Sequence, residues 1–215
     1  MAGATLSRLG KVASERWGMF TTAQASESGV PRKVLSNLAA SGAIERLAQG
    51  VYRMAGAPSS EHEIDAIRVH WLAVGGLASV HVVAAGKTAA TLHRIGDWFP
   101  TVSEFVTPTR RTTRLADVKL RTRRVEEVDI TYVDGLPSMT VERTIADLVE
   151  SREDSSLIAD ALLQAVQGGV LLHPRRLAQL LEPLAHRNGV GSGVALAERL
   201  MAAGGVEDSW QARLH

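Results

Sequence analysis

Arg32, Lys33, Ser36 and Asn37 are the residues whose types and spacing most plainly suit chemistry. At helical spacing all four fall on one outer face, with Val34, Leu35 and Leu38 on the other. Guanidinium and ammonium groups bind phosphate, while hydroxyl and amide groups pair with base edges. Such a face reads DNA. Arg46, Gln49 and Arg53 follow at a spacing that suits contacts to the phosphates beside a groove, and Thr22 stands at the start of the preceding helix. A second basic group, Arg110, Arg111 and Arg114, lies in a Pro- and Thr-rich loop whose guanidinium forks suit phosphate in a bidentate way.

The first group needs a helix, a turn, a second helix and a hairpin to position it. Thr21 and Thr22 can each cap a helix over 23–28, since a threonine oxygen accepts from the open N–H groups of a first turn. Gly29 ends that helix, Pro31 suits the first turn of the next, and Gly42 stops it. Residues 44–47 alternate as a strand, Ala48-Gln49-Gly50 turns the chain, and residues 51–54 alternate back. The pattern is a winged helix-turn-helix, whose second helix would enter a major groove and whose hairpin is the wing. A leading helix over 4–16, ended by Gly18, has Leu6, Leu9 and Val12 available to pack on it.

With 45% hydrophobic residues, the 215-residue chain can build a core, and alanine, leucine and valine must fill most of it. It has no cysteine, which excludes disulfides and cysteine-based metal or nucleophile sites. Arg8, Lys11, Glu15 and Arg16 interrupt the early apolar run before signal-peptide length, and no apolar span reaches membrane length. A cytoplasmic protein without membrane contact is expected. The net charge of +1 conceals an asymmetry: residues 1–56 carry +4, residues 107–124 carry +6, and the remainder carries −9. A basic head and basic loop on an acidic body imply separate surfaces for nucleic acid and protein.

Residues 55–60 form a turn-rich linker, which gives domains at 1–56 and 57–215. Ser60 and Glu63 have capping-box spacing at the start of a helix with Ile64, Ile67, Trp71 and Leu72 on its apolar stripe. Its His62, Glu63, Asp65 and His70 contain no histidine pair at ligand spacing, so no metal or cofactor is expected. Gly75-Gly76 breaks it. Residues 77–83 are strand or helix, 87–95 helix, and 102–107, 118–123, 128–133 and 136–139 strands of a small antiparallel sheet. Thr140 caps a helix in which Arg143 and Asp147 are spaced for pairing, and a helical array over 155–166, 174–185 and 192–203 completes an α+β body. Gly86-Lys87-Thr88 lacks the first glycine of a phosphate loop, since His81 holds that place, and His93 reads as structural. One enzymatic alternative is a metal-dependent nuclease built on Asp117 and Lys119 with Asp97 or Glu104. No other catalytic constellation occurs, and a non-enzyme is expected.

The run Phe20-Thr21-Thr22, Ala25, Gly29-Val30, Leu35, Leu38, Gly42, Ile44 and Gly50-Val51-Tyr52 resembles the N-terminal winged helix of AbiEi-family antitoxins. The resemblance continues through residues 88–93, 106–108 and 140–148, covering roughly 17–150. It implies an antitoxin that represses its own operon. The implied partners are promoter DNA with inverted repeats, on which the protein self-associates, and a nucleotidyltransferase-like AbiEii toxin. A winged-helix regulator unrelated to any toxin is the alternative.

Overall fold

The computed structural model describes residues 2–59, 61–75, 77 and 81–215. The chain divides into two compact units, residues 1–80 and 81–215. The first holds α1 (Ala2–Ser14), β1 (Met19–Thr21), α2 (Thr22–Glu27), α3 (Arg32–Ala40), β2 (Ile44–Ala48), β3 (Val51–Met54) and α4 (His62–Ala73). Its three strands form an antiparallel sheet in the order β1-β3-β2.

Local chemistry explains most of this head. Thr21 is the cap of α2, and with Gln24 it closes a capping box: its hydroxyl accepts from the Gln24 N–H at 3.3 Å, and the Gln24 amide oxygen accepts from the Thr21 N–H at 2.9 Å. Gly29 and Gly50, at φ +74° and +79°, supply the left-handed turns after α2 and within the wing. Leu9, Ala13, Ala25, Val30 and Leu35 bury against Ile44 and Tyr52, and Phe20 stacks on Tyr52 at 5.7 Å. Each large side chain so buried contributes roughly 1.5–3 kcal/mol.

Helix α4 belongs to this unit, which moves the boundary expected at 56/57 to 80/81. It lies on the sheet face opposite α1–α3. Trp71 meets Trp17 edge-on at 6.5 Å, and Arg68 sits over the Trp17 ring at 4.7 Å. Ser60, the expected cap, and Gly76 of the expected break lie outside the described residues, as do 78–80 of the segment expected to be strand or helix.

The body contains β4 (Val83–Ala84), α5 (Gly86–His93), β5 (Ser103–Thr107), β6 (Val118–Thr122), β7 (Ile130–Val133), β8 (Leu136–Met139), α6 (Val141–Glu150), α7 (Ser155–Gln167), α8 (Pro174–Leu181) and α9 (Gly193–Gly204). Its five-stranded sheet has the order β6-β5-β4-β8-β7. The sheet is mixed, not wholly antiparallel: β5 pairs parallel with β6, and β4 parallel with β8. Residues 108–117 are long enough to carry the chain back to the start of β5 before β6 begins. Helices α6–α9 enclose the largest core, built on Ile145, Leu148, Leu162, Leu177, Leu181 and Met201. Gly193 lets α9 approach closely, since a Cβ there would stand 2.1 Å from the Ala178 carbonyl oxygen.

His93 is structural, as its position at the end of α5 implies. Its Nε2 lies 2.7 Å from the Met139 carbonyl, to which it donates, and burial lowers its pKa from 6.5 against the raising influence of that bond and of Glu142. The unfolded imidazole therefore gains a proton before the folded one does. This contribution to stability is full above pH 6.5 and declines as pH falls below it toward the lowered folded value. Denaturant titrations of His93→Gln across that range are expected to show a flatter pH dependence than the parent; an unchanged slope would contradict the assignment.

Candidate nucleic-acid interface

Helix α3 sorts its side chains as its sequence demands. Leu35 is buried, Val34 and Leu38 are half-buried on the core side, and Arg32, Lys33, Ser36 and Asn37 are exposed. The Ser36 hydroxyl donates to the Arg32 carbonyl at 3.2 Å, leaving its lone pairs outward.

The wing resolves by register. Arg46 pairs across the sheet with Tyr52, and Phe20 pairs with the same tyrosine from the other side. Because side chains alternate faces along a strand, Arg46 lies on the sheet face that α3 covers. Arg46 and Gln49 are exposed, and neither they nor Arg32 and Lys33 join an ion pair among the described residues. Thr22 is the first residue of α2; its hydroxyl donates to the Gly50 carbonyl at 3.4 Å, tying the helix-turn-helix to the wing.

Arg53 departs from the expected pattern. One residue away from Tyr52, it faces the opposite side, opposite Glu45, where its guanidinium meets Glu45 at 2.7 Å and Asp65 of α4 at 3.3 Å. Asp65 also accepts from Ser59 at 2.6 Å and Arg68 at 3.1 Å. Arg53 thus ties the wing to α4 through Asp65. The turn contains a register shift between Arg46 and Ala48, so simple alternation from either strand could not relate the two arginines. Arg53→Ala is expected to lower the melting temperature of the head while preserving the salt dependence of its DNA binding. Arg46→Ala should do the reverse, reducing the slope of log affinity against log salt by about 0.9. Equal salt effects in the two variants would reverse this assignment.

The body's basic residues divide in two. Arg110, Arg111 and Arg114 are exposed on the loop after β5. Arg121 and Arg123, which contribute to the +6 of residues 107–124, turn inward to α6. Arg121 forms a two-point pair with Asp147, and Arg123 makes bonds of 2.6 and 2.5 Å to Glu150. The Arg123 bond holds the Glu150 carboxyl below its ordinary range; burial would lower the Arg121 pKa, but its bond to Asp147 and that group's charge raise it. The expected Arg143–Asp147 pair is replaced. Arg143 reaches Glu150 at 3.1 Å, because Asp147, fully buried, is already engaged from β6.

The residues of the nuclease alternative are differently disposed. Glu104 faces Lys119 at 3.7 Å and Arg121 at 3.5 Å, while Asp117 and Asp97 are exposed. No group of three His, Cys, Asp or Glu residues suited to a metal occurs among the described residues. Lys87 pairs with Glu153 at 3.1 Å, and the Gly86 N–H donates to Asp147 at 3.0 Å, so the glycine-lysine pair serves the charge network.

Residues 7–55 match the sequence profile of a family described as "Transcriptional regulator, AbiEi antitoxin". Over that span the head is similar to the AbiEi antitoxin family. The matched span contains α3 and the wing; the motifs at 88–93, 106–108 and 140–148 lie beyond it. The RV2827C protein from Mycobacterium tuberculosis, a solved structure, superposes with a TM-score of 0.57 over 98% of this chain and 80% of its own, at 20% identity. At that identity the likeness is one of fold alone. No curated protein matches the chain. No helix among the described residues is long and apolar enough to cross a membrane.

Proposed function

We propose that the protein is an antitoxin that also represses its own operon, reading inverted repeats in promoter DNA with the head and opposing a nucleotidyltransferase-like toxin with the body. The observation that carries the DNA-binding half is the placement of Arg32, Lys33, Ser36 and Asn37 on the exposed side of α3, with Arg46 on the same side of the sheet. Helix α3 enters the major groove, where Asn37 pairs with a base edge and the cations meet phosphate. The wing lies alongside. The toxin half is supported by the AbiEi match of the head, and the body outside its basic segment 107–124 is acidic, a surface that would not compete for DNA.

Asn37→Ala separates reading from gripping. It is expected to cost roughly 1–3 kcal/mol of discrimination between promoter and scrambled DNA in a gel-shift competition, with little change in binding to the scrambled duplex. Loss of affinity for both duplexes alike would remove Asn37 from the groove. For the antitoxin half, the toxin is co-expressed with the full chain and with residues 81–215. Growth should be restored by both and promoter repression by the full chain only. A chain that represses but never restores growth would be a regulator unrelated to a toxin.

A further inference from the structure

We infer that the body holds a binding groove for a nucleoside phosphate, distinct from the promoter-reading face and independent of the antitoxin reading. The groove, of about 840 Å³, opens where β5 and β6 end. Parallel strands that finish side by side leave a crevice at their carboxyl ends, the usual place for ligands on sheets of this kind. Here Pro108 and Thr109 form one rim, and residues 123–127 form the other.

The lining has two characters. Val125 and Ile130 make an apolar floor, packed on the buried Val83 and Val106. The rim carries Arg124, exposed and outside every ion pair observed among the described residues. Its neighbour Arg123 is pinned inward by Glu150, so the chain sends one guanidinium into the charge network and the next outward. Glu126 is occupied by Arg176 at 2.8 Å. Glu127 is exposed on the 3-10 turn Glu127–Asp129 and lines the same groove. From the opposite rim the chain continues directly into Arg110 and Arg114.

An inorganic anion would use the arginines and leave the floor unfilled, for a volume this size holds an organic ligand. A purely apolar ligand would leave the cations unused. A nucleoside phosphate fits both parts: its base lies flat on the valine and isoleucine floor, its phosphates meet the Arg124 guanidinium, and Glu127 accepts from sugar hydroxyls. The same chemistry is offered by a free nucleotide and by the terminal nucleotide of a single strand.

The test uses the full chain and three probes: ATP, pyrophosphate, and a short single-stranded oligoadenylate with a 5′-phosphate, each titrated calorimetrically. ATP, the oligonucleotide or both should bind saturably and at least about tenfold more tightly than pyrophosphate. ATP alone would identify a free nucleotide as the source, and the oligonucleotide alone a strand end. Arg124→Glu, and Thr109→Trp which fills the rim, should each weaken binding by about tenfold or more. Arg124→Lys should retain most of it, and promoter binding by all three variants should match the parent. Pyrophosphate binding as tight as ATP would reduce the groove to an anion cluster and overturn the proposal. So would the absence of saturable binding by every probe, or undiminished binding in both weakening variants.

Discussion

Asp147→Ala is expected to melt the body of this protein while its head remains folded. The Asp147 side chain is wholly buried, yet it receives both Arg121 and the Gly86 N–H, with Arg123 at 3.4 Å. Removing the carboxylate leaves the Arg121 guanidinium with only the longer contact to Glu104 at 3.5 Å and the buried Gly86 amide without its acceptor. Breaking one side of such a pair costs about 3–5 kcal/mol, a large share of the roughly 5–15 kcal/mol that holds a domain folded. Calorimetry should show the transition of the body shifted far down and that of the head unmoved. Asp147→Asn, which keeps an acceptor for Gly86 but loses the charge, should fall between. An Asp147→Ala protein with both transitions in place would mean that the network is solvated and dispensable.

The second large effect belongs to the head. Simultaneous alanine substitution of Arg32, Lys33 and Arg46 is expected to weaken promoter binding on the order of a hundredfold at physiological salt and to make the salt slope shallower by about three. Because these side chains are exposed and outside the core, the melting temperature of the head should change little. That separation matters: a loss of binding with an intact fold and a reduced slope assigns all three to phosphate. Loss with an unchanged slope would show that the reading face lies elsewhere.

Both effects mark where sequence reasoning reached and where it stopped. The caps, glycine turns and apolar spacing of residues 20–54 are local signals, so α2, α3 and the wing were legible. The ion pairs of Arg53 were not legible, because they are decided by cross-strand register and by Asp65, a residue on a helix that spacing had assigned to the other side of a linker. In the body the strands themselves were legible from their composition, but their partners were not. Parallel pairing of β5 with β6 brings Arg121 and Arg123 over α6, and that single topological fact diverts Asp147 from Arg143, its neighbour at helical spacing. Charge runs record how many cations a segment has; burial and register decide how many are spent. Thus Arg110 and Arg114 remain surface groups, while Arg121 and Arg123, in the same basic run, became internal ties.

The strand order of the body has a consequence for synthesis. Strand β4 is two residues long, and it pairs with β5 on one side and with β8 on the other, where Ala84 meets Ser138, 54 residues further along the chain. Strands β4, β5 and β6 can pair among themselves earlier, but they join β8 and β7 only when β8 has left the ribosome, and pairings between distant segments form slowly. The three strands of the head, by contrast, are complete by Met54, and its last helix by Ala73. Domains emerging first generally fold first. A nascent chain would therefore display a finished head while the body is still incomplete, so that within each round of translation the first unit matures before the unit that follows it.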